Sequence, residues 1–147
     1  MFNEFDSVVT NQVFEHVFNL DIFLFEVNRV LKKEGKLLMT VPFVWDEHEQ
    51  PYDFAQYTSF GLKSLLEKNG FEIVEQKKTV TDFSVIFQLV NEYIYKLTVR
   101  NDLIRQIAII LIMFPLNIAG IISSKILPSN KDLYWDNIIL AKKINDV

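Results

Sequence analysis

Residues 5–41 read FDSVVTNQVFEHVFNLDIFLFEVNRVLKKEGKLLMTV, and this stretch decides the fold. Its first six residues are short and β-branched in the middle, which predicts a buried strand over residues 5–10. Residues 36–41 form a continuous apolar run that Pro42 ends, and such a run predicts a strand covered on both faces. Apolar residues at helical spacing lie between the two runs. Strand, helix and strand in this order predict a right-handed parallel crossover.

The ends of the first helix are predicted from residue types. Asn19 or Asp21 can cap its first turn, because a side-chain oxygen there accepts a hydrogen bond from a free backbone amide. Lys32 and Lys33 suit the negative end of the helix dipole, and Gly35 suits the left-handed position that follows a helix.

The rest of the chain continues the alternation of helices and strands. Residues 43–57 are polar and aromatic without periodicity and predict a loop. Pro115 is expected to interrupt the last helical stretch, since proline has no amide to donate. The elements predicted after the loop are a helix capped by Thr58 or Ser59 and ended by Asn69-Gly70, a strand over 71–79, a helix over 84–97, a helix capped by Asp102, and a final strand over 134–142.

Composition excludes several classes of protein. Half of the residues are hydrophobic, which argues against disorder. The chain has no cysteine, so disulfides and thiolate metal sites are excluded, and a reducing, cytoplasmic location is expected. No basic stripe with interleaved aromatic residues is present, so a nucleic-acid partner is not expected. The first residues lack the basic and apolar segments of a signal peptide.

A set of short motifs follows in order along the first half of the chain. They are FDSVV at 5–9, VFEHV at 13–17, EVNRVLKKEG at 26–35, Pro42-Phe43, HEQPYDF at 48–54 with Tyr57-Thr58, and Gly70-Phe71. In this order and at this spacing they resemble the motifs of class I S-adenosylmethionine-dependent methyltransferases, in particular those of type 11. The resemblance covers most of residues 5–80.

The resemblance implies an α/β fold with part of a Rossmann-like methyltransferase sheet. The strands would correspond to strands 4-5-7-6 of the family, with the last strand antiparallel and a helical insertion before it. It implies one partial domain over residues 1–147, with a sheet and helix core over 1–80, a helical insertion or lid over 81–130 and the final strand over 131–147.

S-adenosylmethionine is the cofactor that the resemblance implies. Residues at the end of the first strand would contact it, and the family pattern extends this expectation to four positions: Asn11, Gln12, Val13 and His16. Glu15 could contact the cofactor together with His16. The alternative is that Glu15 caps or pairs locally while His16 packs under the sheet. The family also has a glycine-rich turn near G-x-G-x-G, where the backbone approaches the cofactor closely. None of the four glycines here forms G-x-G, so we expect only the C-terminal half of the domain and an incomplete cofactor site.

The loop after Pro42 carries the residues expected to act on a substrate. His48 is a candidate general base, because imidazole titrates near neutral pH, and the alternative is a structural hydrogen bond within the loop. Gln56 stands where one subgroup has arginine, which removes a charged donor. The residues expected to line the substrate cleft or to fix the loop are Pro42, Tyr52, Asp53 and Tyr57. The acceptor would be a small molecule, a glycan or a lipid-like compound.

The same loop contains residue types that can bind a metal ion, but the family that the sequence resembles offers no precedent for a metal site here. The cluster comprises Asp46, Glu47, His48, Glu49 and Asp53. We therefore expect a solvated loop and no metal.

The strand over residues 5–10 would lie at an edge of the sheet, although its sequence is typical of a central strand. An exposed apolar edge favours pairing with another chain. We therefore expect a homo-oligomer, a complementing chain or a rearranged N-terminus. A non-catalytic pseudoenzyme or interaction module that uses this edge is the alternative to an enzyme.

Residues 107–122 are apolar except for Asn117, and Arg105 and Lys125 bracket them. This stretch is shorter than the about 20 residues that a membrane-spanning helix needs. We expect a buried or cleft-covering helix pair, with peripheral contact to a membrane as the alternative.

Overall fold

The structure is a computed structural model and describes residues 3–147. These residues divide into two compact units. The first unit combines residues 3–79 with residues 136–147 and contains the sheet. The second unit, Val80–Trp135, is helical.

The described residues form a four-stranded sheet in the order β1-β2-β4-β3. Strand β1 pairs with β2 in parallel, and β4 pairs antiparallel with both β2 and β3. This arrangement confirms the predicted α/β fold, with strands equivalent to 4-5-7-6 and an antiparallel last strand. The strands are β1 (Phe5–Asn11), β2 (Leu31–Pro42), β3 (Phe71–Lys78) and β4 (Asp136–Lys143).

Two helices of the first unit begin at predicted caps. Helix α1 (Leu20–Val30) begins after Asn19, whose side chain accepts a hydrogen bond from the amide of Ile22 at 3.2 Å. Helix α2 (Ser59–Lys68) begins after Thr58, whose hydroxyl accepts from the amide of Gly61 at 3.1 Å. A short 3-10 helix, Phe14–His16, lies between β1 and α1.

The turn after α1 differs from the prediction. Lys32 and Lys33 lie in β2 and not in the last turn of the helix. Glu34 has the positive φ, 65°, that was expected of Gly35. Gly35 is required for space, because a Cβ there would lie 2.7 Å from the carbonyl oxygen of Lys32.

The core of the first unit lies between one face of the sheet and the two helices α1 and α2. Leu37, Met39 and Val41 of β2 are fully buried in it, whereas Leu38 between them is 39% exposed. Burial of each such side chain contributes roughly 1.5–3 kcal/mol. The prediction that β2 is covered on both faces is therefore wrong for the described residues, because both helices pack on the same face.

A buried lysine connects the sheet to its surroundings. Lys143 of β4 is 1% exposed, and its Nζ donates to the carbonyl oxygens of Asn28 and Leu31 at 2.7 and 3.0 Å. It also donates to Oδ1 of Asn3 at 2.9 Å and pairs with Asp146 at 2.7 Å. Hydrogen bonds and an opposite charge of this kind offset the cost of burying an ammonium group.

The second unit contains a helix pair. Helix α3 (Ser84–Thr98) is followed by α4 (Asp102–Ala108), a π-helical segment (Ile109–Met113) and α5 (Phe114–Ile126). The last three segments form one continuous helix, Asp102–Ile126, of 25 residues. Helices α3 and α5 contact each other where Asn117 Oδ1 accepts from Gln88 Nε2 at 2.8 Å and from Asn91 Nδ2 at 2.9 Å.

Two predictions about the long helix are wrong. Its cap is Asn101 and not Asp102, because the Asn101 side chain accepts from the amides of Leu103 and Ile104. Pro115 does not interrupt the helix. The amide of Phe114 donates to Ile109, five residues earlier, so the hydrogen-bond register changes just before the proline and the helix accommodates the missing donor.

The long helix is also less buried than expected. Only 11% of its most apolar window is buried within the structure. The expectation of a buried helix is therefore wrong, although the pairing with α3 is observed. The continuous length of 25 residues also removes the argument that the apolar stretch is too short to cross a membrane.

Candidate functional site

The carboxyl end of β1 is fixed by hydrogen bonds to the neighbouring strands. The amide of Gln12 donates to the carbonyl oxygen of Thr40 at 3.1 Å, and its side-chain Nε2 donates to Oδ1 of Asp136 at 3.2 Å. The hydroxyl of Thr40 donates to Oδ1 of Asn11. Gln12 has a φ of 52°, in the left-handed region that few non-glycine residues adopt. The chain therefore turns sharply between β1 and Val13, at the edge where α/β sheets bind ligands.

Glu15, His16 and His48 lie close together beside this turn, although they belong to two separate sequence motifs. Glu15, His16 and His48 each offer one ligand atom, and these atoms lie within 4.8 Å of one another. Nε2 of His16 lies 3.8 Å from Oε1 of Glu15, and the two imidazole rings meet edge to face with centroids 4.9 Å apart. The sequence predicts roles for both histidines but does not predict that they meet.

Glu15, which the VFEHV motif places next to His16, is the third residue of this cluster, and the sequence did not predict its burial. Its side chain has no exposed surface, and neither carboxylate oxygen has a hydrogen-bond partner among residues 3–147. Burial is the main cause that raises the pKa of this carboxyl above its ordinary value of 4.5.

The loop over residues 43–57 orients both imidazoles. Nδ1 of His16 lies 2.9 Å from the carbonyl oxygen of Tyr52, and Nδ1 of His48 lies 3.2 Å from the carbonyl oxygen of Asp46 and from Oδ2 of Asp53. A carbonyl oxygen can only accept a hydrogen bond, so each Nδ1 carries the proton in these contacts. The Nε2 atom of each neutral ring then has a free lone pair.

The residues predicted to contact a substrate lie at two separate places in the loop, one beside His48 and one at the base of the loop. Asp53 is nearly buried and accepts from the backbone amide of His48 at 3.1 Å, while the side chain of Tyr52 is 63% exposed. Pro42 and Tyr57 meet at the base of the loop, where the amide of Tyr57 donates to the carbonyl oxygen of Pro42 at 3.3 Å. Burial raises the pKa of the Tyr57 phenol.

Gln56 closes the loop where one subgroup of the family has arginine. Its Oε1 accepts from the amide of Trp45 at 3.3 Å, and its Nε2 donates to the carbonyl oxygen of the same residue at 2.7 Å. An open pocket of about 280 Å³ lies beside it, lined by Glu47, Asp53, Phe54, Ala55 and Gln56. The Gln56 side chain is neutral and already hydrogen-bonded to Trp45, so it does not offer a ligand the positive charge that arginine would provide.

Comparison with known proteins identifies the fold. Residues 2–39 match the family model described as a methyltransferase domain. The strand order and the antiparallel β4 extend this likeness beyond the matched residues. The chain has the class I methyltransferase fold. A search of curated protein sequences gives no significant match.

Solved structures with the methyltransferase fold superpose on nearly the whole chain. The cyclase SpnF has a TM-score of 0.58 at 19% identity, with 97% of this chain and 51% of that chain covered. Phosphoethanolamine N-methyltransferase 2 of Haemonchus contortus, in complex with S-adenosyl-L-methionine, has a TM-score of 0.57 at 17% identity, with 99% and 34% covered. An O-methyltransferase from a polyketide synthase of Brevibacillus brevis, in complex with S-adenosyl-L-homocysteine, has a TM-score of 0.55 at 15% identity, with 97% and 45% covered.

These comparisons have two consequences. The chain spans about half of the first of these structures and less of the other two. Identities below one fifth establish the common fold and leave the reaction open, as the presence of a cyclase among methyltransferases illustrates.

Proposed function

We propose that this chain forms part of an S-adenosylmethionine-dependent methyltransferase that acts on a small-molecule, glycan or lipid-like acceptor. The observation that carries the proposal is the turn at the carboxyl end of β1. Asn11 is exposed there, and Gln12, with a φ of 52°, turns the chain beside a parallel strand pair. Ligands of open α/β sheets bind in this position, outside the carboxyl ends of the strands.

The reaction would be a direct displacement. A lone pair of an acceptor oxygen, nitrogen or carbon forms a bond to the methyl carbon while the bond from that carbon to the sulfonium sulfur breaks. S-adenosylmethionine, when bound, supplies the methyl group and a neutral thioether leaving group. The chain itself contributes binding and orientation, which can account for much of the rate of such a transfer.

His48 is the residue proposed to receive the acceptor's proton. Its Nδ1 is held by Asp46 and Asp53, so its Nε2 is the nitrogen with a free lone pair. A neutral imidazole accepts a proton near neutral pH and is therefore suited to this role. Tyr52, exposed next to His48 in the loop, is the side chain proposed to contact the acceptor.

The proposal also requires a second wall for the cofactor cleft. No glycine of this sequence stands in a G-x-G pattern, and β1 lies at an edge of the described sheet. Val9 on β1 is 67% exposed, although β-branched residues of this kind are typical of a paired strand. We propose that another polypeptide segment, which carries the glycine-rich turn that this sequence lacks, pairs with β1 and completes the cleft.

Calorimetric titration with S-adenosylmethionine measures cofactor binding. Light scattering on matched variants measures assembly through the edge strand β1. We expect binding at micromolar concentration to protein that is assembled through β1. Val9→Lys places a charge on the edge and should abolish both assembly and binding. Val74→Lys on β3, at the other edge and 54% exposed, is the matched control and should retain both. A monomer that binds no cofactor, alone or with added partner, contradicts the proposal.

A non-catalytic interaction module is the second candidate function. The same exposed edge of β1 supports it, since pairing with a partner strand needs no cofactor. The two functions are distinguished by the same titration: assembly through β1 without any binding of S-adenosylmethionine favours the module.

A further inference from the structure

We propose that Glu15, His16 and His48 form a binding site for a divalent transition metal ion, with zinc as the expected ion. One carboxylate and two imidazoles are a ligand set that zinc sites use when a fourth position stays open for water or a substrate. This inference does not depend on methyl transfer. A bound ion would occupy Nε2 of His48, so metal-loaded protein would not use His48 to receive the acceptor's proton. It replaces the expectation from sequence that the loop around His48 is only solvated.

The distances are close to those of a metal site. Ligand atoms that each lie about 2.0–2.2 Å from one ion stand roughly 3–4 Å apart. The three ligand atoms here lie within 4.8 Å of one another, and Nε2 of His16 is already 3.8 Å from the carboxylate of Glu15. An ion that binds here would draw the ligand atoms together by about 1 Å.

The burial of Glu15 is an independent observation that points to a ligand. A fully buried carboxylate is costly unless it is paired and hydrogen-bonded. Both oxygens of Glu15 lack a hydrogen-bond partner among the described residues, while the adjacent imidazole of His16 is still 3.8 Å away. A divalent cation between Glu15 and the two imidazoles would supply the missing positive charge.

The surroundings of the histidines have the form found around metal-binding imidazoles. A histidine that binds a metal through one ring nitrogen almost always donates the other N–H to a carbonyl or carboxylate oxygen, which fixes the ring and its tautomer. His16 donates to the carbonyl oxygen of Tyr52, and His48 lies within reach of the carbonyl oxygen of Asp46 and the carboxylate of Asp53. Both Nε2 atoms are therefore the ones left for an ion.

Titration of untagged, chelator-treated protein with cobalt and zinc tests this site. The chain has two histidines and no cysteine, so visible absorption bands of bound cobalt would report this site without thiolate ligands. We expect one equivalent to bind, zinc to displace it, and Glu15→Gln or His48→Ala to abolish binding. Asp53→Asn should weaken binding about 10–100-fold through the orientation of His48.

Glu67→Gln is the matched control, because this glutamate lies half exposed on α2, and it should bind like the unmodified protein. Circular dichroism of each variant checks the fold, and Glu15→Gln, which keeps the shape of the side chain, remains informative if His48→Ala unfolds. Absence of metal uptake at micromolar concentration, or equal uptake by the Glu15→Gln and Glu67→Gln variants, would overturn the proposal.

A separate surface carries a second inference, which rests on the long helix Asp102–Ile126. We infer that this helix lies in the surface of a lipid bilayer that contains anionic lipids. A helix that is apolar on all sides is normally buried in protein or in lipid. The apolar window of this helix has a mean hydropathy of 2.2, yet only 11% of it is buried within the structure. Its most exposed large side chains include Leu103, Ile110, Leu111, Phe114 and Ile126.

The connections of the insertion favour a helix in the plane of the membrane over one that crosses it. Strands β3 and β4, which precede and follow the insertion, pair with each other in one sheet. Both ends of Val80–Trp135 must therefore lie on the same side of a bilayer. A single crossing by the long helix would need a second crossing by α3, whose 15 residues reach about 22 Å and include Glu92 and Lys96. The hydrocarbon core is about 30 Å thick.

The charge of the insertion fits an anionic surface. Residues 80–135 carry five basic and four acidic side chains, a net charge of +1, whereas the rest of the chain carries −5. The basic residues stand near the ends of the long helix, with Arg100 and Arg105 at one end and Lys125 and Lys131 at the other. Basic residues at both ends of the helix are placed to pair with anionic lipid headgroups at the membrane surface.

Flotation with lipid vesicles tests the second inference. We expect the protein to float with phosphatidylglycerol-containing vesicles, less with pure phosphatidylcholine, and to be released by alkaline carbonate. The double substitution Ile110→Lys with Leu111→Lys should lower vesicle binding at least tenfold, and Val74→Lys should leave it unchanged. Three outcomes would contradict the inference. The protein could stay unbound to anionic vesicles, or it could resist carbonate extraction as a spanning protein does. The double variant could also lose only self-association and still bind vesicles.

Discussion

Substitution of the buried lysine Lys143 by methionine should cause a large loss of stability. The ammonium group donates to the carbonyl oxygens of Asn28 and Leu31 in a site that is 1% exposed. Methionine keeps the apolar stem but leaves both carbonyl groups without this donor. An unsatisfied buried polar group costs about 1–3 kcal/mol, so two of them predict a loss of roughly 2–6 kcal/mol in the free energy of unfolding.

The neighbouring residue provides a matched control. Lys142 precedes Lys143 on β4, and its side chain is 30% exposed beside Glu34 and Glu72. Lys142→Met should therefore destabilise the protein much less, because water replaces its partners. Urea unfolding, followed by the fluorescence of the two tryptophans, measures both variants. A loss for Lys143→Met no larger than for Lys142→Met would refute the reasoning.

Three further predictions concern single sites of the first unit. Thr58→Ala should cost about 1 kcal/mol of unfolding free energy by removing the cap of α2, and Thr58→Ser should restore it; thermal melts compare the two. Gly70→Ala should cost about 2 kcal/mol of unfolding free energy, because Gly70 has a φ of 79° and a Cβ there would lie 2.6 Å from the carbonyl oxygen of Asn145. Gly61→Ala, inside α2 and without such a clash, should be neutral or stabilising in the same thermal melts. Burial raises the pKa of Glu15, so in metal-free protein the contribution of Glu15 to stability should be greatest below about pH 4.5 and be lost as the pH rises through the folded-state pKa. Glu15→Gln does not titrate and should gain stability relative to the unmodified protein over that range; an equal difference at pH 4.5 and at pH 7 in chelator-containing urea titrations contradicts this.

The sequence predicts those parts of the fold that depend on neighbouring residues along the chain. Asn19 and Thr58 begin helices because their own side chains accept the first free amides. Gly70 ends α2 with a positive φ of 79°, as its residue type predicts. The prediction for Gly35 is wrong, because glycine is required there for space beside Lys32 and not for a left-handed backbone conformation.

The candidate site depends on contacts between distant parts of the sequence, and these could be predicted only in part. His16 and His48 were identified separately, by motifs. Their meeting depends on the path of the loop over 43–57, which has no periodicity from which a path can be predicted. The amide of Phe54 donates to the carbonyl oxygen of Glu15 at 2.8 Å and fixes the loop against the 3-10 helix. Burial of Glu15 was not expected either, because glutamate is rarely buried without a partner.

The long helix shows why the position of a proline alone does not determine where a helix ends. With a break at Pro115, the apolar residues form two short segments, and neither can reach across a bilayer. With the register change at the π-helical segment, the same residues form one helix of 25 residues, about 37 Å long. Length then permits a crossing, and only the pairing of β3 with β4 excludes a single one. The choice between a spanning and an in-plane helix is therefore made by the sheet that flanks the helix, and not by the apolar sequence itself.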